Sequence, residues 1–132
     1  VSMILLVDDE PDLLDLYTDV LEIMGDQVIQ AHDGMEALEK AHQQRPDLIV
    51  TDWMMPRMDG VELCQSLLRD PGLEGIPIIL HSSRRAPRLP GVHVLSKSCP
   101  LEEFEDAVAQ ALDNIQEPVP APAPEQSAAE AY

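Results

Sequence analysis

Met3-Ile4-Leu5-Leu6-Val7-Asp8-Asp9-Glu10-Pro11 is the stretch whose reading decides the fold. Five apolar residues in a row, with no polar alternation, describe a short strand buried on both faces. The run stops at two carboxylates, and Pro11 suits the first turn of a helix, where its missing N–H has no intrahelical partner to lose. Leu13, Leu14, Tyr17, Leu21 and Met24 then recur at helical spacing until Gly25 supplies a stop.

The same unit repeats along the chain. A second strand is expected at Gln27 to Ala31, then a helix opened by Asp33-Gly34 and running through Gln44, with Ala37, Leu38 and Ala41 inward and Pro46 barring its continuation. Leu48 to Thr51 reads as a third strand ending on Asp52, and Val61 to Arg69 as a third helix after a Met-Pro-Arg-Met-Asp-Gly turn. Ile76 to Leu80 and Val92 to Ser96 read as the fourth and fifth strands, and Leu101 to Ile115 as a final helix with Leu101, Phe104, Val108 and Leu112 on one face. Strands alternating with helices pair in parallel through right-handed crossovers, so the expected architecture is an α/β three-layer sandwich. Functional groups then belong at the carboxyl ends of the strands.

Length and charge narrow the function. The 132 residues suit one compact domain, and 25 Asp and Glu against 8 Lys and Arg give a formal charge of -17. Such a chain offers duplex nucleic acid no broad basic surface, so direct nucleic-acid binding is not expected. No apolar run approaches the roughly 18 to 20 residues of a membrane span, and the first residues lack the basic flank of a signal peptide, which points to the cytoplasm. Cys64 and Cys99 form no ligand spacing, and Cys64 reads as an inert core thiol. From Glu117 to Tyr132 the chain alternates Pro and Ala and ends in small and acidic residues, so residues 116–132 are expected to form a disordered tail or linker beyond a domain at 1–115.

Polar residues cluster where the topology makes them informative. The first strand ends in Asp8-Asp9, the third in Asp52, the fourth in Ser82 and the fifth in Lys97, so all five residues converge on one edge of the sheet. Close carboxylates repel by about 1 to 4 kcal/mol per pair, which invites a hard cation, and Mg²⁺ with its preference for oxygen ligands is the best candidate. A hydroxyl and a lysine beside them suit a phosphate, and an Asp can act as nucleophile to give an acyl phosphate. Bland alternatives exist: Asp8, Asp9 and Glu10 could cap the first helix, while Ser82 and Lys97 taken singly could be surface residues. His81 should point away from Ser82 by strand alternation and pack, and His32, His42 and His93 share no ligand spacing.

Four segments together then resemble the receiver domain of bacterial two-component response regulators, of which the chemotaxis regulators are an example. They are Ile4-Leu-Leu-Val-Asp8-Asp9-Glu10-Pro11, Asp52-Trp-Met-Met-Pro56-Arg-Met-Asp59-Gly60, Ile76-Pro-Ile-Ile-Leu-His-Ser82-Ser83, and Lys97. The resemblance implies a flavodoxin-like five-stranded parallel sheet in the order 2-1-3-4-5. It also implies that Asp52 accepts a phosphoryl group from a histidine kinase or phosphotransfer protein. Asp8 or Asp9, Asp52 and the Met54 backbone carbonyl would hold Mg²⁺, and Ser82 and Lys97 would contact the phosphoryl oxygens. The chain would then be a signalling switch that takes part in its own phosphorylation and dephosphorylation, not an enzyme acting on other substrates.

The chain departs from that family in one region. Only fifteen positions separate Ser82 from Lys97, fewer than in the family, and the intervening Ser83-Arg-Arg-Ala-Pro-Arg-Leu-Pro-Gly91 holds two prolines. The fourth helix is therefore expected to be reduced or absent, replaced by a loop bearing Arg84, Arg85 and Arg88. That loop reads either as solvated surface or as a contact for an anion or acidic partner. Val94 stands where the family commonly has an aromatic residue, and Lys97 is followed by Ser98 rather than proline. A receiver-like module that binds a partner without phosphorylation is the competing reading. A Mg²⁺-dependent phosphohydrolase is a weak third, since the chain has no insertion large enough for a substrate-covering cap.

Overall fold

The computed structural model describes residues 2–116 of the chain. Its elements in order are β1 (Met3–Val7), α1 (Pro11–Ile23), β2 (Gln27–Ala31), α2 (Gly34–Gln43), β3 (Leu48–Thr51), α3 (Gly60–Arg69), β4 (Ile78–Ser82), β5 (Val92–Ser96) and α4 (Leu101–Gln116). All neighbouring strands pair in parallel, in the order β2-β1-β3-β4-β5. The expected three-layer sandwich and strand order are therefore present, and the expected tail lies outside the described residues apart from Gln116 at the end of α4.

Side-chain alternation divides the core between the two faces of the sheet. Ile4, Leu6, Leu48, Val50, Ile79 and Leu95 pack with Leu14 and Leu21 of α1 and Phe104, Val108 and Leu112 of α4. Leu5, Val7, Ile49 and Ile78 pack with Ala37 and Ala41 of α2 and Leu63, Cys64 and Leu67 of α3. The central strands β1, β3 and β4 feed both clusters, which explains their unbroken apolar runs. Full burial of each Leu, Ile or Val contributes about 1.5–3 kcal/mol.

Local chemistry sets the element ends. Gly25, at φ 99°, turns the chain out of α1 with its N–H bonded to the Glu22 carbonyl. Asp33 caps α2 by accepting from the Glu36 N–H at 2.8 Å. Asp59 and Glu62 form a reciprocal capping box on α3, so the turn hands over directly to the helix, which starts at Gly60, one residue before the expected Val61.

Two outcomes concern the far end of the sheet. The fourth strand begins at Ile78, two residues later than its apolar pattern suggests, because Pro77 has no N–H to give the ladder and Ile76 belongs to a preceding turn. Ile76 is nonetheless buried in the α2/α3 core, which is why it mimics a strand residue. Between β4 and β5, residues 83–91 contain no helix, as their prolines and length foretell.

Candidate functional site

Parallel pairing brings the ends of β1, β3, β4 and β5 to one edge, and backbone bonds fix their levels. The Asp8 N–H donates to the Ala31 carbonyl at 3.1 Å, the Asp52 N–H to Val7 at 2.8 Å, and the Lys97 N–H to Ser82 at 2.8 Å. Asp8, Asp9 and Asp52 consequently offer carboxylate oxygens that lie within 4.8 Å of one another. Asp8 and Asp52 are nearly inaccessible, 4% and 8% exposed, whereas Asp9 faces solvent. Lys97 reaches across β4 so that its Nζ lies 2.7 Å from Asp8 Oδ2 and 3.3 Å from Asp52 Oδ1.

The electrostatics of this group follow from burial and crowding. Burial raises the Asp52 pKa, the Asp8 charge raises it further, and Lys97 opposes both. Burial works to lower the Lys97 pKa, but its hydrogen bond to Asp8 and the charges of Asp8 and Asp52 outweigh that and raise it. One ammonium among three carboxylates leaves excess negative charge. An all-oxygen donor set of this charge, part buried and part open at Asp9, fits a hard divalent cation such as Mg²⁺.

The capping alternative for the acidic run fails on geometry. No side chain caps α1, and Asp8 instead uses Oδ1 to accept from the Glu10 N–H at 3.0 Å, which turns its other oxygen to Lys97. Ser82 is buried at the end of β4, and its Oγ accepts from the Arg84 N–H at 3.0 Å. Met54 lies in the loop after Asp52 with its side chain exposed, and Trp53 beside it is half-buried. His81 packs on the opposite face of the sheet from Ser82, against Tyr17 and Phe104. Cys64 is fully buried, and burial with the nearby Asp59 charge pushes its thiol up to about 12, so it is inert at neutral pH. His32 and His42 are exposed and pair with Glu36 and Asp70.

Two contributors to the site escaped sequence reasoning. A Cβ on Gly60 would fall 2.0 Å from the Asp52 carbonyl oxygen, so only glycine lets α3 begin against the end of β3. Arg57, at φ 67°, donates from Nε to Asp33 Oδ2 at 2.9 Å, and the Gly34 N–H donates to the Met58 carbonyl at 3.0 Å. These bonds tie the loop after Asp52 to the start of α2. The Met-Pro-Arg-Met-Asp-Gly string marked the loop as constrained, but nothing in it named Asp33 as the anchor.

The family model described as the response regulator receiver domain matches residues 4–109. Among curated proteins, the alkaline phosphatase synthesis transcriptional regulatory protein PhoP of Bacillus subtilis is 52% identical over 64 residues, covering 48% of this chain and 27% of PhoP. RpaA of Synechocystis is 43% identical over 77 residues, covering 58% of this chain and 32% of RpaA. The chain thus spans about a third of the length of these relatives. Among solved structures, the receiver domain of a histidine kinase from Syntrophus aciditrophicus superposes with TM-score 0.81 at 30% identity, covering 93% of this chain and 99% of that one. TrrA of Thermotoga maritima, solved in complex with Mg²⁺-BeF, superposes with TM-score 0.77 at 27% identity over 85% of this chain and all of that one. With the family model matching residues 4–109, this chain belongs to the response regulator receiver domain family, as a two-component signalling switch that takes part in its own Asp phosphorylation at an acidic site suited to Mg²⁺.

Proposed function

We propose that Asp52 is the phosphoacceptor, that Asp8, Asp9, Asp52 and the Met54 backbone carbonyl hold Mg²⁺, and that Ser82 and Lys97 receive the phosphoryl oxygens. The observation that carries this reading is the setting of Asp52. It is buried at the end of β3, with a lysine 3.3 Å away and two further carboxylates gathered beside it at the same edge of the sheet. In the transfer, an Asp52 carboxylate oxygen bonds to phosphorus as the bond from phosphorus to a histidine nitrogen of the donor breaks. The imidazole leaves with that electron pair and takes up a proton. Mg²⁺, when bound, supplies countercharge to the phosphoryl oxygens.

The chain's own residues do the remainder. Lys97 is already desolvated and held by Asp8, so its charge meets the phosphoryl group without reorganisation. Ser82 Oγ is engaged only as acceptor from the Arg84 N–H, which leaves its proton free to donate to a phosphoryl oxygen. Turning that hydroxyl toward Asp52 disturbs its bond to Arg84 and so acts on the loop at 83–91.

Family membership implies a histidine kinase partner. The reading adds a phosphotransfer protein as an equivalent donor, an unidentified downstream protein, no direct nucleic-acid contact by this chain, and a cytoplasmic location. Among the described residues no helix is long and apolar enough to cross a membrane. Residues 1–115 form the receiver in this reading and 116–132 a Pro/Ala-rich linker.

Asp52→Asn tests the assignment. It is expected to abolish labelling by a small phosphodonor and leave the circular dichroism spectrum unchanged. Because the folded-state pKa of Asp52 is raised, the folded protein binds that proton more tightly than the unfolded chain, and the ionised carboxylate costs stability at neutral pH. The variant should therefore melt at or above the wild-type temperature at pH 7, and the difference should close as pH falls below the unfolded Asp pKa. Undiminished labelling would refute Asp52. If Mg²⁺ and beryllofluoride both left Trp53 fluorescence unchanged, the module that works without phosphorylation would replace this reading.

A further inference from the structure

The helical layers on the two sides of the sheet are unequal. α1 and α4 cover one face, while α2 and α3 cover the other only as far as β4. Over β5 that second layer is missing, because residues 83–91 form no helix. Val92 and Val94 are in register with Ile78 and Leu80 of β4 and so share the α3 face, where both are half-buried rather than covered. Together with Leu89 they line a groove of about 1010 Å³ that Arg84, Arg85 and Arg88 also line. A two-turn helix about 10 Å across and about 11 Å long occupies roughly 850 Å³, so the groove is the size of the helix the layer lacks.

Charge adds a second observation. The other five cationic side chains are all engaged: Lys40 by Glu36, Arg45 by the Gly72 and Glu74 carbonyls, Arg57 by Asp33, Arg69 by the Gln65 carbonyl, and Lys97 by Asp8 and Asp52. Among the described residues the guanidinium groups of Arg84, Arg85 and Arg88 have no hydrogen bond or ion pair, in a chain with 25 acidic residues. Three unpaired cations beside apolar lining residues make a site for a ligand that is acidic on one side and apolar on the other.

We propose that this groove docks an acidic amphipathic helix of a partner protein, which completes the second helical layer over β5. A helix satisfies its own backbone hydrogen bonds, so it can lie on the half-buried valines without stranding polar groups, and its carboxylates meet the arginines. Nucleic acid is disfavoured because the remaining surface of a -17 chain repels phosphate, and the same charge opposes a second copy of the chain. This assignment stands apart from the chemistry at Asp52.

The test uses the full chain and a fluorescein-labelled, ~18-residue synthetic peptide with leucines at i, i+3, i+4 and i+7 spacing and glutamate elsewhere. Fluorescence anisotropy is expected to show saturable binding that weakens with salt. Binding should fall about tenfold or more in Arg85→Glu/Arg88→Glu and in Val94→Gln, and for a peptide of the same composition whose leucines lose the helical period. Labelling of Asp52 by a small phosphodonor should persist in the arginine variant, which separates failure here from failure of the phosphorylation reading. No binding of the patterned peptide, or equal binding by the arginine variant, would overturn the proposal. A comparable gain in affinity on changing Glu117, Glu125 and Glu130 to Gln would make the chain's own tail the occupant. Self-association lost in the arginine variant would make it a second copy, and either result overturns the partner assignment.

Discussion

At residue 81 a histidine sits in the core, 3% exposed, with no hydrogen-bond partner for its Nε2 among the described residues. Its ring lies edge-on to Tyr17 at a centroid distance of 4.9 Å and tilted against Phe104 at 5.1 Å, so it serves as an aromatic filler. Burial pushes its pKa down to about 4, the Lys97 charge pushes the same way, and Asp8 opposes. The unfolded histidine takes a proton near pH 6.5 and the folded one only near 4. The unfolded state therefore binds more protons between those values, and stability is lost as pH falls through that window, by an amount on the order of 3 kcal/mol. His81→Leu should remove that part of the acid sensitivity and be more stable than wild type at pH 5. Urea unfolding of both proteins at pH 7 and pH 5 measures it, and equal losses would show that His81 does not carry the effect. Strand alternation placed this side chain away from Ser82, but the box around it comes from α1 and α4, and no local pattern reveals that.

Among the elements, the junction of β3 and α3 has the least room. The Asp52 carbonyl lies where a Cβ of residue 60 would stand, and the obstacle is backbone, which cannot swing aside as a side chain can. Gly60→Ala is expected to cost about 1–3 kcal/mol and to slow Asp52 labelling, because the helix must move away from the loop that carries Met54. Wild-type melting and labelling rates in this variant would show that the junction gives freely. The loop at 83–91 is the opposite case. Ala86 is buried and Leu89 half-buried, yet the remaining residues are exposed, and the Arg84 N–H depends on the Ser82 hydroxyl. Its amides should exchange fast in the resting protein and change protection on addition of beryllofluoride with Mg²⁺. Hydrogen exchange that is helix-like from the start, or blind to the ligand, would sink that link. The sequence read this loop correctly because two prolines and a short span exclude a helix. It misplaced β4 because the apolar pattern of Ile76 reports burial, not ladder pairing.

At the scale of the whole molecule, strand order and the convergence of Asp8, Asp9, Asp52, Ser82 and Lys97 were legible because each strand announces its own end and parallel topology stacks those ends. The reach of Lys97 was not, since it depends on the turn at Ser96–Cys99, where the Ser96 and Ser98 hydroxyls bond each other at 2.7 Å and the Cys99 N–H closes on the Ser96 carbonyl at 3.2 Å. That reach joins Lys97 to Asp8 across 89 positions of sequence. Contacts so distant along the chain close a long loop and are made late in folding. Lys97→Met should accordingly speed unfolding about tenfold or more and leave the folding rate within about twofold, as read from stopped-flow chevrons. Slower folding would place the contact in the nucleus instead. During synthesis the carboxylates of β1 and β3 emerge long before the ammonium that balances them. A half-made chain therefore holds Asp8 and Asp52 without their lysine, and the charge balance of the acidic site arrives with the last strand.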